Sequence, residues 1–160
     1  MGAVHCLDNL GITAGDEAPG YLRGSNPEKA AQDVADATAE IVESGLFTTI
    51  AHLDGIKKYA RAFYGNAIDV GLEKRFPPVF EAMAKKNVGI ELNTSALRRG
   101  HPDIYPSKKI VEMARDKGVK INSVGSDAHA ESQVGFALEK AYTLIKETGI
   151  GIGEPLSKYF

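Results

Sequence analysis

The segment SVGSDAHAE, residues 123 to 131, sets Asp127 and His129 two positions apart, directly after an apolar stretch that reads as a strand. A carboxylate oxygen and a neutral imidazole nitrogen are ligands that a divalent Zn, Mn or Fe ion accepts, so the pair is suited to a metal site. His5 and His52 stand comparably, each near the end of a short apolar or β-branched run, GAVHCLD and LFTTIAH, and Glu91 and Asn93 close a third run, VGIELNT. Each has a plainer reading. A single His at a strand end is more often a hydrogen-bonded structural residue, Ser126 and Asp127 could cap a following helix, and Glu91 could be an exposed alternating residue. What favours ligands is that three of the four histidines occupy the same structural position. The fourth, His101, lies in the loop RRGHPDIYPS and has no such claim.

The elements that must position these residues follow from periodicity and turn chemistry. In SNPEKAAQDVADATAEIVESG, Asn26 is placed to cap a helix that Pro27 opens and Gly45 stops, with Ala30, Val34, Ala37 and Ile41 forming one apolar stripe. The strand LFTTIAH follows. FPPVFEAMAKKN reads as a helix opened by its prolines, then the strand VGIELNT; PSKKIVEMARDKG reads as a helix, then the strand VKINSVG; a last helix spans about Val134 to Lys146. GAVHCLD adds one more strand at the start. Helix and strand in alternation, with short glycine-bearing connections, predict an α/β fold with parallel strands. NLGITAGDEAPGYLRG and DGIKKYARAFYGNAID escape the rhythm and read as long loops after strands, the second with a helical turn or two. Every candidate ligand then falls at the carboxyl end of a strand, the active face of parallel α/β architectures.

The chain of 160 residues suffices for one domain over 1 to 160, with a core that needs no disulfide. No stretch approaches the roughly 20 apolar residues of a membrane span. The net charge of −2 does not favour nucleic acid. GIKKYARAFYG does gather Lys57, Lys58, Tyr59, Arg61, Phe63 and Tyr64, a mixture suited to a single-stranded groove, but the stretch is short. The single cysteine, Cys6, cannot form an internal disulfide, and without a leader pattern the expected compartment is the cytoplasm. Neighbouring strand residues point to opposite faces, so His5 and Cys6 form no dyad, and Cys6 is expected in the core.

With these residues in view, VGSDAH, between IVEMARDKGVKINSVG and VGFALEKAYTLIKETG, resembles the closing motif of the polymerase and histidinol phosphatase (PHP) superfamily, in particular its histidinol-phosphatase-like branch. AHLDGIKKY is similar to that family's GHLDxIKKY, IELNTSALRRG to its IExNTSxxR, and GAVHCLD to its GSVHFLD, all in the family's order. The resemblance implies a distorted (β/α)7 TIM-like barrel, metal-dependent phosphoester hydrolysis by an activated water, and His5, His52, Asp127 and His129 as metal ligands. It further implies that Arg98 grips the substrate phosphate through its forked guanidinium, with Lys57 a weaker candidate whose alternative is a solvated helix-turn lysine. Glu91 is implied to support the ligands.

The departures matter as much. Members of the family carry an HxH near the N-terminus, then further His residues and a bridging Glu, before the segment that here starts at Gly2, and this sequence has none of them. The resemblance then implies that His5 and His52 share one metal with an absent Glu, and that Asp127 and His129 each belong to a metal whose other ligands are absent. The expectation is a partial barrel with open sheet edges, which associates with a second copy or with a chain supplying the missing part. Two functions remain: a phosphoesterase acting on a small phosphorylated substrate, incomplete as a single chain, or a noncatalytic subunit that oligomerises and binds metal weakly.

Overall fold

A computed structural model describes residues 1 to 154; residues 155 to 160, the end of the single domain expected from the sequence, lie outside the described residues. Its sheet is parallel and has the order β3 (Thr49–Ile50), β4 (Gly89–Asn93), β5 (Ile121–Gly125). On the outer side of β3, Gly2 forms a parallel bridge to Ile50, and on the outer side of β5, Ile152 does the same with Ile121. Segments therefore lie side by side in chain order, the arrangement produced when each strand is followed by a helix that returns the chain to the next position. The sheet is open, and no closed barrel forms among the described residues.

The return helices are α2 (Pro27–Glu43), α4 (Ala67–Lys85), α5 (Lys108–Asp116) and α6 (Leu138–Thr148). Helix α2 starts where its capping signal predicts, with the Asn26 side chain accepting the Lys29 amide at 2.9 Å. Its buried face comprises Ala30, Ala31, Val34, Ala35, Thr38 and Val42, while Ala37 and Ile41 are only half-buried. The expected stripe is thus rotated toward α4. The two helices meet at Gly71, where an added Cβ would stand 2.8 Å from the Ala31 Cβ, so only a glycine permits this approach. Phe76, Phe80 and Met83 of α4 pack with Ile50, Ile90 and Ile121 of the sheet in one core. All five residues of β4 are buried, as a central parallel strand covered on both faces should be.

Four expectations about the elements are corrected. Helix α4 begins at Ala67 rather than Phe76, and Pro77 and Pro78 lie inside it. Each proline removes a bond to the carbonyl four residues earlier, at Glu73 and Lys74. Glu73 is half-buried and Lys74 and Pro78 are exposed, so this side of the helix faces solvent, while Phe76 and Phe80, with ring centroids 5.6 Å apart, anchor the buried side. The first long loop contains an unexpected helix, α1 (Ala18–Arg23), while the second carries its expected turn or two as α3 (Lys57–Tyr64). The last helix starts at Leu138 rather than Val134, because Gly135 and Ala137 adopt φ of 73° and 54°.

The fourth correction concerns the first strand. Only Gly2 bridges the parallel sheet; the chain then turns into a hairpin of β1 (Cys6–Leu7) and β2 (Leu10–Gly11). Asp8 and Asn9 form its two-residue turn with φ of 49° and 62°, the left-handed conformation that Asp and Asn tolerate and that type I′ turns require. In this hairpin Leu7 takes the core position and Cys6 is exposed, contrary to the expected core cysteine. No helix of the described residues is long and apolar enough to cross a membrane.

Candidate functional site

The chain leaves β3, β4 and β5 on the same rim, and an open cleft of about 880 Å³ lies there. His5, His52, Asp127 and His129 all line it, as does Arg98. The His5 and His52 rings lie 4.9 Å apart between centroids, edge to face at 63°. His5 Nδ1 is 2.9 Å from the Thr13 hydroxyl of the loop after β2. Burial, and then the neighbouring His52, pull the His5 imidazole below its ordinary value, with the Asp127 charge acting in the opposite direction. A neutral imidazole keeps a lone pair for a ligand.

Two of these residues sit in strained backbone. His52 has φ 29° and Asp127 φ 50°. Non-glycine residues held at positive φ persist where surrounding contacts over-determine them, and such positions cluster at functional sites. At His52 the contacts are clear. Its amide donates to Glu91 Oε2 at 3.1 Å, and an added Cβ at Gly55 would stand 2.9 Å from the His52 carbonyl oxygen and 3.0 Å from Nδ1. Glu91 is 6% exposed and also accepts from Asn93 Nδ2 at 3.1 Å, so it is no exposed alternating residue. Asn93 in turn caps the 3₁₀ helix Thr94–Arg99 through Ser95 N. At Asp127 the carbonyl accepts from Arg98 Nη2 at 2.7 Å and lies 2.9 Å from His129 Nδ1. Because a carbonyl only accepts, Nδ1 of His129 is the donor in this contact, and Nε2 is the ring nitrogen left outside it.

The cations that line the cleft differ from expectation. Lys57 does not line the cleft and is not solvated: it is 2% exposed, with its ammonium 2.6 Å from Asp54, 2.8 Å from Asp69 and 2.9 Å from the Ser107 hydroxyl. Lys58 lines the cleft in its place, donating to the Thr13 carbonyl at 2.6 Å. Arg98 lines it with its guanidinium bonded to the Ser126 and Asp127 carbonyls, and Arg99 and Ser95 complete that wall. His101 stays outside the cleft lining, its ring 6.1 Å from that of Tyr105. Lys58 and Arg99 were missed because each is the second of two like residues, and choosing between neighbours needs the direction of each helical turn.

Among the described residues, no three His, Cys, Asp or Glu side chains converge as a metal-holding group. The arrangement supplies an imidazole pair, with a carboxylate and a further imidazole elsewhere in the same cleft.

Behind the cleft, Lys57, Asp54, Asp69 and Arg61 form a buried ion network. Burial pushes the Asp69 carboxyl up, but hydrogen bonds from Arg61 and Lys57 outweigh it and hold the group below its ordinary 3.8. A carboxyl depressed in the folded state contributes stability that is present above the unfolded value and lost as pH falls through the folded one. Urea unfolding across pH should therefore find Asp69→Asn less stable than wild type at neutral pH, with the gap closing below pH 3.8. A gap independent of pH would refute the assignment.

No family model matches the chain. It is similar to the probable histidinol-phosphatase of Thermotoga maritima, 32% identical over 128 residues, which are 79% of this chain and 52% of that protein. Similarity extends to the probable histidinol-phosphatases of Deinococcus radiodurans, 30% identical over 66% of this chain and 38% of that protein, and of Schizosaccharomyces pombe, 26% identical over 94% and 50%. The chain spans about half the length of the curated relatives it matches, or less.

Proposed function

We propose that the cleft is part of a phosphoesterase site of the PHP type, which hydrolyses a small phosphate monoester with the help of a divalent Zn, Mn or Fe ion. The observation that carries this reading is that His5, His52, Asp127, His129 and Arg98, separated along the sequence, line a single cleft beside the strand ends. The names of the similar proteins support phosphatase chemistry. Parallel segments adjacent in chain order support a partial TIM-like barrel rather than a doubly wound sheet, in which strand order reverses at a switch point.

The donor set does not by itself enclose a metal, since three ligands do not converge among the described residues. The reading therefore includes a second copy or another polypeptide segment that adds ligands beside His5. Ala3, Val4, Ile41, Leu46 and Phe47 line a shallow groove of about 540 Å³ along the Gly2 edge, and His5 borders both groove and cleft. The chain's own part is to hold the phosphoryl oxygens with cations, to keep the His5 imidazole below its ordinary value through burial and the neighbouring His52, and to present Asp127 and His129 from one loop.

The missing third ligand also favours a second reading, a noncatalytic subunit. Metal analysis of the purified protein with a p-nitrophenyl phosphate assay separates the two. The phosphoesterase reading expects at least one equivalent of Zn, Mn or Fe per chain and hydrolysis abolished by chelation. A metal-free, inactive protein that stays so with added Mn²⁺ would leave the noncatalytic reading.

A further inference from the structure

Gln133 ends the short 3₁₀ helix Glu131–Gln133, which follows the loop carrying Asp127 and His129, and it lines the cleft with them. Its backbone is engaged at both groups: the amide donates to the Ala130 carbonyl at 3.0 Å, and the carbonyl accepts from the Phe136 amide at 3.2 Å. The His129 amide donates to Gln133 Oε1 at 3.0 Å. A backbone N–H can meet only the oxygen end of a carboxamide, so this contact fixes which way the group faces. The other end, Nε2, carries two N–H donors.

Among the described residues no partner engages Gln133 Nε2. The enclosed side-chain atoms left without a partner there are Asp54 Oδ1 and Tyr105 Oη, so Nε2 is not sealed among protein atoms. It reaches solvent from a half-buried residue of the cleft wall. Its donors are unspent, and the side chain is held through Oε1 before any ligand arrives, which reduces the rotamer freedom lost on binding. Being neutral, the carboxamide is also not drawn into an ion pair with Asp127 of the same cleft.

We propose that Gln133 is a ligand-binding residue, its Nε2 donating to an oxygen of a phosphoryl group while its Oε1 holds the His129 backbone; the assignment rests on the phosphoester reading of the cleft. Lys58, Arg98 and Arg99 supply the charge that attracts the anion, and the carboxamide adds a directional bond from the segment after β5. One side chain thus couples the ligand to the loop: a phosphoryl group on Nε2 restrains the same carboxamide that fixes the His129 amide.

The test uses the full chain with its Gln133→Glu and Gln133→Met variants and inorganic phosphate as the probe. Glutamate keeps an oxygen for the His129 amide but has no donor; methionine, of similar length, has neither. Calorimetry should find phosphate binding weakened on the order of tenfold in both, the scale of a lost hydrogen bond to a charged group. Exchange of the His129 amide, followed by ¹⁵N-resolved NMR, should stay at the wild-type rate in Gln133→Glu and rise in Gln133→Met. The Gln133 side-chain NH₂ signals, identified by their loss in Gln133→Met, should move downfield in the wild-type chain with the half-saturation that calorimetry gives. Signals that stay in place while phosphate saturates the wild-type chain would overturn the proposal, because weakening in Gln133→Glu would then be charge repulsion alone. Unchanged phosphate affinity in both variants would overturn it as well, leaving Gln133 a loop lock in a cleft that still binds phosphate. A wild-type chain that binds no phosphate would instead sink the phosphoester reading and the assignment with it.

Discussion

Replacing Asp127 by asparagine is expected to reduce metal-dependent hydrolysis of p-nitrophenyl phosphate on the order of 100-fold or more, the scale on which a charged metal-site group acts. The fold should survive the change. The contacts that hold this loop run to the Asp127 carbonyl, from Arg98 and toward His129, and they belong to the backbone rather than to the carboxylate. Asparagine also tolerates the observed φ of 50° as aspartate does. Unfolding free energy should therefore move by no more than about 0.5 kcal/mol, the range of a surface change without lost packing. Asp127→Ala should lose as much activity and be slightly less stable, because alanine is less at home at positive φ. Initial rates with excess Mn²⁺, metal content per chain and a thermal melt are the measurements. Activity within threefold of wild type in the asparagine variant would remove Asp127 from the site.

Lys57→Met is expected to be the most destabilising single change in the network behind the cleft. The ammonium sits between Asp54, which has no exposed side-chain surface, and Asp69, which has 17%. Burial pulls the Lys57 amine down, but the Asp54 carboxylate, followed by Asp69, outweighs it and holds the amine above its ordinary value. Without the lysine, Asp69 keeps Arg61 at 2.8 Å, but Asp54 keeps only the Ser107 amide at 3.0 Å, and its Oδ1 is already buried without a partner. Leaving one partner of a buried pair uncompensated costs about 3–5 kcal/mol. For a chain of this size that lowers the melting temperature on the order of 10 °C. Because both residues belong to one network, the double variant Asp54→Leu with Lys57→Met should be less destabilised than the sum of its single changes. Equal melting of Lys57→Met and wild type would show that the ion pairs contribute nothing net.

Physically, this network ties the segment after His52 to the segment after β4. Lys57 reaches Ser107 across 50 positions of sequence, and Asp54 accepts the Ser107 amide across 53. Gly55, whose lack of a side chain makes room for the His52 ring, lies between the network's first two members. Stability behind the cleft and geometry within it are therefore carried by the same short stretch, Asp54 to Lys58.

Helix α2 illustrates what local sequence can specify: Asn26, Pro27 and Gly45 mark its ends through capping and backbone conformation, which depend on nearest neighbours alone. The same holds for the parallel succession of elements and for His52, Asp127 and His129 lying just past strand ends, since strand and helix periods are read over a few residues. Helix α4 shows the limit. Its two prolines read locally as the start of a helix, and that signal is overridden because Phe76 and Phe80 are buried on one side while Lys74 and Pro78 are exposed on the other. Lys57 and Lys58, like Arg98 and Arg99, are indistinguishable by type. Their partners lie far off in sequence, Ser107 for Lys57, the Thr13 carbonyl for Lys58 and the Ser126 and Asp127 carbonyls for Arg98. The sequence by itself determined the alternation of α2, α4, α5 and α6 with parallel strands and the place of His52, Asp127 and His129 just past strand ends. Only the tertiary structure decided which side chains share the cleft and which are sealed behind it, because those partners are brought together by packing between distant segments rather than by local backbone preference.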